Sequence, residues 1–432
     1  MKSFTPKIAV LSAAVFLALP SAHAAVDGIG TSGNNARSMA LQSNYFTLKD
    51  DFNIWANPAL ISEYSGRGYI NHTEMGGANV KVGPGTLGLY LGRTYSGAIK
   101  LGGMDTGYTG VAMTANLTAL PTALENRFDV LYGMQLSGMH VGARLNWNSY
   151  GTKNSSVTGT AAAVSKEISA RDLNLSVGVA LDNMPLDVAV IMGIPSLSST
   201  FSDPAAAGVT TESLKDNSAG SLGLVGRFFA MRGKSSELML SGAYLSDNKS
   251  SLDSRTTAAS VTSTITNNEK TTQMSAMAKF SYTAITNQEF AATTGLILGN
   301  YKADLATAAG AVVGSASSQE TKTTTIPLGL GYEIQKLGES QKWALRGAIA
   351  KALYVSKKDT TATTLPVVAA ASSTTEDSIA GNISWGIGVG YGASKNLTID
   401  ANMNQGTLFA GTNLLSTGAG TLITRLTVTY AM

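Results

Sequence analysis

Histidine is the side chain most suited to general base catalysis near neutral pH, and the chain contains three. His72 and His140 remain once an N-terminal leader, residues 1–24, is set aside. A Ser-His-acid site needs a serine nucleophile and a histidine oriented by a third group. No Gly-x-Ser-x-Gly motif accompanies His140, which shares an alternating face with Arg144. We therefore predict no catalytic residues and no enzyme, with His140 as a polar lining residue; a lipid- or peptide-hydrolysing enzyme is the alternative.

Cofactor and metal chemistry also lack the residues they need. The chain has no cysteine, which removes thiolate catalysis, disulfides and cysteine-ligated metals. No metal-ligand spacing, phosphate loop or dinucleotide fingerprint is visible, so we predict no cofactor and no metal site. A formal charge of only +3 argues against a nucleic-acid partner. With 44% hydrophobic residues the chain must fold, because disorder requires low hydrophobicity.

Charged side chains recur at alternate positions of apolar segments, where they could act on a passing solute. Together with His140, the candidates that we expect to line a lumen are Asp129, Arg144, Asp187, Arg227, Lys279, Glu333, Arg346, Asp400 and Arg425. Rings of charge in a pore set ion selectivity. The alternative is a neutralised structural network, because ionisable groups removed from water normally find partners. Both interpretations require strands that turn these positions inward.

The elements that could do so are β-strands, because the dominant hydrophobic period is two. In residues 139–148 one face carries Met139, Val141, Ala143, Leu145 and Trp147, and the other carries His140, Gly142, Arg144, Asn146 and Asn148. Residues 173–182 and 397–404 alternate in the same way. No stretch after residue 24 has the roughly 18 consecutive apolar residues of a membrane-spanning helix. The chain is therefore all-β.

Strand length and turn asymmetry favour a transmembrane barrel over a sandwich. The alternating segments reach roughly 10 residues, the length that crosses a bilayer when tilted. Short turns alternate with long Ser/Thr/Ala-rich stretches, which we expect to be extracellular loops, at 150–167, 195–218, 247–270, 302–319 and 356–376. An interfacial aromatic girdle is expected from Trp147, Phe228, Trp343, Trp385 and Tyr430. The turns predict an antiparallel barrel of sixteen strands, with fourteen as the alternative count.

The leader predicts the compartment. Lys2 and Lys7 flank an apolar run over residues 8–19, and a small-residue cleavage site follows at 22–24, which together are typical of a secretory signal peptide. We predict three regions: a signal peptide over 1–24, an N-terminal segment over 25–64 and a barrel over 65–432. Such a barrel belongs in the outer membrane of a Gram-negative-type bacterium. Its expected partners are outer-membrane lipid, lipopolysaccharide and the barrel-assembly machinery.

Residues 25–64 do not alternate, and a barrel does not need them before its first strand. An acidic pair, Asp50 and Asp51, precedes the turn Asn57-Pro58-Ala59. Over residues 35–93 the chain resembles the FadL-type long-chain fatty acid and hydrocarbon transporters, whose N-terminal hatch has an acidic pair before an Asn-Pro-Ala turn. The chain departs from the family at Leu60, where glycine usually follows, and in its strand count, since the family barrel has fourteen strands.

The resemblance implies a plugged channel for uptake of hydrophobic small molecules such as fatty acids or hydrocarbons. It makes Asp50, Asp51, Asn57, Pro58 and Ala59 candidate hatch residues. The two aspartates could pair with lumenal arginines, or they could simply cap a turn, as Asx residues commonly do. A general or weakly selective porin and a non-transporting surface scaffold are the alternative functions.

Overall fold

A computed structural model describes residues 36–41, 48, 50–71, 75–92, 126–156, 164–182, 185–202, 209–216, 220–257, 262–285, 287–309, 312–337, 341–364, 371–378, 383–403 and 423–432. The predicted signal peptide and His72 lie outside these residues. The N-terminal part contains a short α-helix, α1 (Ala36–Ala40), and two 3-10 helices, η1 (Asp51–Trp55) and η2 (Pro58–Tyr64). Among the described residues no helix is long and apolar enough to cross a membrane.

Eighteen β segments follow in chain order. They are β1 (Arg67–Asn71), β2 (Met75–Val82), β3 (Gly85–Leu91), β4 (Asn126–Leu136), β5 (Met139–Ser156), β6 (Val164–Leu181), β7 (Leu186–Ser202), β8 (Val209–Asp216), β9 (Gly220–Arg232), β10 (Ser236–Thr257), β11 (Thr262–Ile285), β12 (Gln288–Ala309), β13 (Val312–Leu337), β14 (Trp343–Thr364), β15 (Ala371–Ser378), β16 (Ile383–Gly392), β17 (Leu397–Met403) and β18 (Ile423–Ala431).

The segments form one closed antiparallel sheet. Strand β1 pairs with both β2 and β18, which closes the barrel. Both β8 and β9 lie between β7 and β10, so together they make one strand. Likewise β15 and β16 both pair with β14 and make one strand. Eighteen segments with two such pairs give sixteen strands, so the predicted fold class and strand count are confirmed.

Side-chain alternation explains why this barrel sits in a membrane. On β6, Asn174 and Ser176 are buried inside, whereas Val177 is 60% exposed on the outer face. Large apolar side chains on the outside of a closed barrel face lipid. Most exposed aromatic residues of the described strands lie near the short-turn end, namely Phe228, Phe280, Tyr282, Phe290, Trp343 and Tyr430. The molecule is therefore an outer-membrane β-barrel of the Gram-negative type, with its short turns at the periplasmic end.

Two details of the sequence prediction are wrong. Trp385 is only 4% exposed and does not belong to the exposed girdle. Where the structure describes them, the five predicted long loops are largely strand. Residues 150–167 and 195–218 fall mostly in β5 to β8. The other three loops extend β10 to β14, which have 22, 24, 22, 26 and 22 residues. About 9–11 residues suffice to cross a bilayer, so these hairpins continue well beyond it. Serine, threonine and alanine carry no strong hydrophobic pattern, but the backbone pairing of adjacent strands continues through them.

Candidate functional site

The N-terminal segment, the described part of residues 36–64, consists of short turns with well-defined caps. Asp50 is extended and its carboxylate accepts a hydrogen bond from the Phe52 N–H at 3.4 Å, which starts η1. Asn57 is also extended and accepts from the Ala59 N–H at 3.1 Å. Pro58 follows at the first helical position, where its missing N–H has no intrahelical partner to lose. Asp50 therefore caps one turn of the segment and Asn57 caps the next.

The segment contacts strands around the whole interior. Helix α1 contacts β14, β16, β17 and β18, and η2 contacts β3, β4, β5 and β6. Between them, Leu41 and Leu48 lie beside residues of β11, β12 and β13. One buried apolar cluster joins the segment to the walls; it includes Phe52, Ile54, Trp55, Leu60 and Ile61 from the segment and Tyr69, Leu131, Ile191, Val225 and Leu245 from the strands.

Glycines in the wall let the segment approach closely. A Cβ on Gly178 would overlap the Asn57 side chain, and one on Gly142 would overlap the Pro58 carbonyl. On the opposite wall, a Cβ on Gly386 would lie 2.6 Å from the carbonyl oxygen of Ala40. In all three cases the added Cβ would lie closer to the segment than real Cβ contacts allow. Glycines at these lumenal positions thus leave the space that the segment occupies.

Two wall arginines hold the backbone of the segment. Arg144, whose side chain is fully buried, donates from Nη1 to the Trp55 carbonyl. Arg227 on the other side donates from Nη1 to the Leu48 carbonyl at 3.2 Å. Its Nη2 lies 2.7 Å from a carboxylate oxygen of Asp187. Hydrogen bonds to charged groups contribute about 1.5–3 kcal/mol each, so these arginines fix the position of the segment.

A chain of alternating charges links the segment to three strands. Arg37 lies 3.3 Å from Asp50 within the segment and 2.8 Å from Glu333 on β13. Glu333 also accepts from Arg346 Nε at 2.6 Å, and Arg346 Nη1 lies 2.5 Å from Asp400 on β17. Glu333 is only 3% exposed, so it depends on both arginines for its charge compensation.

The remaining lumen candidates also face the interior. Asp129 is buried, with Oδ1 4.0 Å from Arg144 Nε. Lys279 is buried beside Glu289 at 3.3 Å. Arg425 is partly buried and lies opposite Asn402 of the neighbouring strand. The arrangement corresponds to a largely ion-paired network, which is the second of the two interpretations drawn from the sequence.

His140 connects the segment to a periplasmic turn. Its Nδ1 lies 2.5 Å from Ser62 Oγ in η2, and its Nε2 lies 2.8 Å from an Asp182 oxygen. The other Asp182 oxygen accepts from Gln135. In acyl-transfer triads the acid binds Nδ1 and the serine binds Nε2, the opposite arrangement. Ser62 also donates to the Ala59 carbonyl at 2.9 Å. These contacts fit a structural link between segment and wall.

The acidic pair also has an electrostatic role. Asp51 lies 3.1 Å from Arg67 on β1, at the periplasmic end. Burial, and then the neighbouring Asp50 carboxylate, raise the pKa of Asp51 well above its ordinary value, against the opposing effect of Arg67. Burial likewise raises the pKa of the Tyr64 phenol, which stays neutral. We call the segment docked in the position described here and released when it has left the barrel wall. The docked segment therefore binds a proton more readily than the released one.

Docking of the segment should weaken as pH rises. A carboxyl group whose pKa is raised on docking stabilises the docked state fully below its ordinary pKa, and this contribution is lost as pH rises through the raised value. We expect channel openings in a planar bilayer to become more frequent from pH 5 to pH 9, and Asp51→Asn to flatten this dependence. An unchanged slope in that variant would show that Asp51 does not cause the pH dependence.

Sequence reasoning missed four residues that the structure brings into the site: Arg37, Trp55, Ser62 and Asp182. One signal was available for Arg37, which is the only charge between Asp27 and Lys49. Trp55 is one of four tryptophans and lies inside the predicted hatch. Ser62 and Asp182 carried no signal, because their partner His140 is distant from both in sequence.

No protein-family model and no curated protein matches the chain. Solved structures that match are outer-membrane barrels. The ferric yersiniabactin uptake receptor FyuA from Yersinia pestis has 10% identity and a TM-score of 0.38, with 64% of this chain and 44% of that chain covered. The toluene transporter TbuX from Ralstonia pickettii has 10% identity and a TM-score of 0.29, covering 77% and 97%. The translocator domain of autotransporter NalP from Neisseria meningitidis has 16% identity and a TM-score of 0.29, covering 69% and 90%.

The chain spans less than half the length of the first two matching structures, 44% and 46%. The barrels are siderophore receptors, a translocator domain, a copper transporter and a toluene transporter by their descriptions. At these identities and TM-scores the similarities carry no conclusion about the function of this chain.

Proposed function

We propose that this protein is an outer-membrane transport channel that its N-terminal segment closes, and that its solutes are hydrophobic small molecules. The observation that carries the proposal is the position of the segment, which contacts strands around the whole interior. Trp55 is 1% exposed and Ile61 is fully buried at that level of the barrel. On this proposal, a solute crosses this level when the segment moves.

The solute class rests on two supports. The first is the resemblance of residues 35–93 to the FadL-type transporters, which includes Asp50, Asp51 and the Asn57-Pro58-Ala59 turn. The second is the apolar cluster between segment and wall, whose strand side chains would offer an apolar surface to a hydrophobic solute. The sixteen strands depart from the fourteen of that family, so the resemblance concerns the segment and the first strands.

On this proposal, the channel opens when the equilibrium between the docked and the released position of the segment shifts towards the released position. A solute favours the released state only by as much as it binds that state better. The polar contacts at Arg37, Arg144 and Arg227 contribute to the free energy that must be overcome, together with the apolar cluster. The wall itself can stay rigid, because the closed ladder of backbone hydrogen bonds does not involve the segment.

Deleting residues 25–64 should open the channel. We expect the refolded full-length mature chain to be silent with rare brief openings in a planar bilayer, and the deletion variant to show a large steady conductance. Because the deletion could prevent refolding, Gly178→Val is a second variant, since its side chain would overlap Asn57. Gly226→Val is the control, because the nearest atom to its Cβ would be 3.4 Å away. Unchanged conductance in both test variants would contradict the proposal.

A surface scaffold is the second candidate, favoured by the hairpins that continue beyond the bilayer. Strand β13 alone has 26 residues, and the pairing of β13 with β14 reaches Ala316 and Thr364. A barrel that stays closed in both test variants, yet binds a partner through these hairpins, would support this candidate. An open lumen in the unmodified chain would instead indicate a porin.

A further inference from the structure

A cavity opens at the periplasmic end of the barrel, on the side of the segment away from the strands that η2 contacts. Its volume is about 450 Å³, which lies within the range of about 300–1,000 Å³ typical of small-molecule sites. The segment supplies Arg37, Asp50, Asp51 and Tyr64 to its lining, and β1, β13, β14, β16, β17 and β18 supply the rest. We call this space the periplasmic vestibule.

Basic residues outnumber acidic ones in the vestibule. Its lining contains Arg37, Arg67, Lys336, Lys342 and Arg346 against Asp50, Asp51 and Asp400. Each of these three aspartates already lies within 3.3 Å of one of the arginines.

The two lysines differ from the three arginines in their lack of an aspartate partner within the described lining. Among the described residues, neither Lys336 nor Lys342 has an acidic partner within 4.0 Å, and both side chains are exposed at the mouth. The turn between them also contains Glu339, which lies outside the described residues. Arg67 adds a partly accessible guanidinium, 38% exposed, which stacks on the Tyr64 ring at 5.0 Å. The acids of the described lining are thus neutralised, while part of the positive charge is not.

We propose that the periplasmic vestibule binds a small organic anion, with its carboxylate or phosphate group held by Lys336 and Lys342 at the mouth. Charge-assisted hydrogen bonds from ammonium and guanidinium groups are the interactions that recognise such a group. The remaining volume accommodates an organic tail beside Tyr64 and Thr398. The inference goes beyond the proposed function and does not depend on it, since a closed barrel has the same vestibule.

Binding in the vestibule should stabilise the closed state. The lining combines residues of the segment with residues of the wall, so an anion in the vestibule would bind the docked segment better than the released one. A ligand that binds one state preferentially shifts the equilibrium towards it. At saturation the anion should therefore reduce the frequency of channel openings when it is added from the periplasmic side.

Calorimetry on the full mature chain in detergent tests the site. The probes are hexanoate, 1-hexanol and inorganic phosphate. We expect saturable binding of hexanoate and no binding of 1-hexanol. The Lys336→Gln/Lys342→Gln variant should weaken hexanoate binding by about tenfold or more, because it removes two charge-assisted contacts. Lys81→Gln/Lys234→Gln is the matched control, since these exposed lysines lie near the same rim outside the vestibule.

The outcomes separate the possibilities. Phosphate binding that is lost in the same variant would support an anion site that needs no tail. Equal binding of 1-hexanol, or equal weakening in the control variant, would overturn the proposal, because neither result requires the charges of the vestibule. Calorimetry measures no conduction, so this result and the conductance of the deletion variant can fail independently.

Discussion

Replacing Glu333 by alanine should raise the frequency of channel openings by about a hundredfold or more. Glu333 is buried and receives Arg37 of the segment at 2.8 Å and Arg346 of the wall at 2.6 Å. Removing one member of a buried ion pair costs about 3–5 kcal/mol, because the partner charge stays buried. Arg37 can escape this cost by leaving with the segment, whereas Arg346 cannot. The substitution therefore favours the released state.

Single-channel recording of Glu333→Ala beside Glu289→Ala checks this expectation. Glu289 is an acid of the neighbouring strand whose side chain is 39% exposed and pairs with Lys279 of the wall, so its loss should change opening little. A double variant with Arg37→Met should be less than additive, because both substitutions remove the same contact. Full additivity would show that Glu333 acts without Arg37, and equal effects of the two glutamates would point to lumenal charge alone.

The barrel was predictable because each membrane-crossing strand alternates between apolar and polar or small residues. Successive side chains of a strand face lipid and the barrel interior in turn, so apolar and polar residues alternate. The outward and inward faces of β5 can therefore be assigned directly from residues 139–148. Closure and the count of sixteen followed from turn residues. The extended hairpins were not predictable in this way, because outside the bilayer both faces of a strand are polar. There the hydrogen bonds of the neighbouring strand, not a hydrophobic pattern, maintain the strand.

The interior contacts were predictable only in part. Burial forces a charge inside a barrel to find a partner, so Asp187, Arg227 and Glu333 could be placed in the interior from sequence. Their partners could not all be found, because the segment has no period that relates its positions to strand register. Arg37 therefore contacts Glu333, and Trp55 contacts Arg144, through a conformation of the segment that the sequence does not predict. The only local signals for that conformation are its two capping residues, Asp50 and Asn57.

Trp55→Ala should release the segment as strongly as the loss of Glu333. Trp55 is 1% exposed, and its ring packs against Tyr90 of the wall at 4.7 Å with an interplanar angle of 77°. Truncating a buried tryptophan to alanine costs about 3–5 kcal/mol, since transfer and cavity terms add. Here the cost falls on the docked state, because the released segment exposes residue 55 in either form. Each 1.4 kcal/mol corresponds to tenfold, so openings should increase by about a hundredfold or more.

Trp343→Ala is the matched control for this experiment. Trp343 is 47% exposed on the outer face near the periplasmic rim, and its ring contacts Tyr391 at 4.6 Å. Its removal should affect insertion at the interface and leave the opening frequency unchanged. Single-channel recordings of both variants separate the two roles of tryptophan in this chain. If Trp55→Ala stays as silent as the unmodified protein, the apolar contacts of the segment do not hold the channel closed. The arginine contacts to the Trp55 and Leu48 carbonyls would then be sufficient for closure, because alanine keeps the carbonyl at position 55.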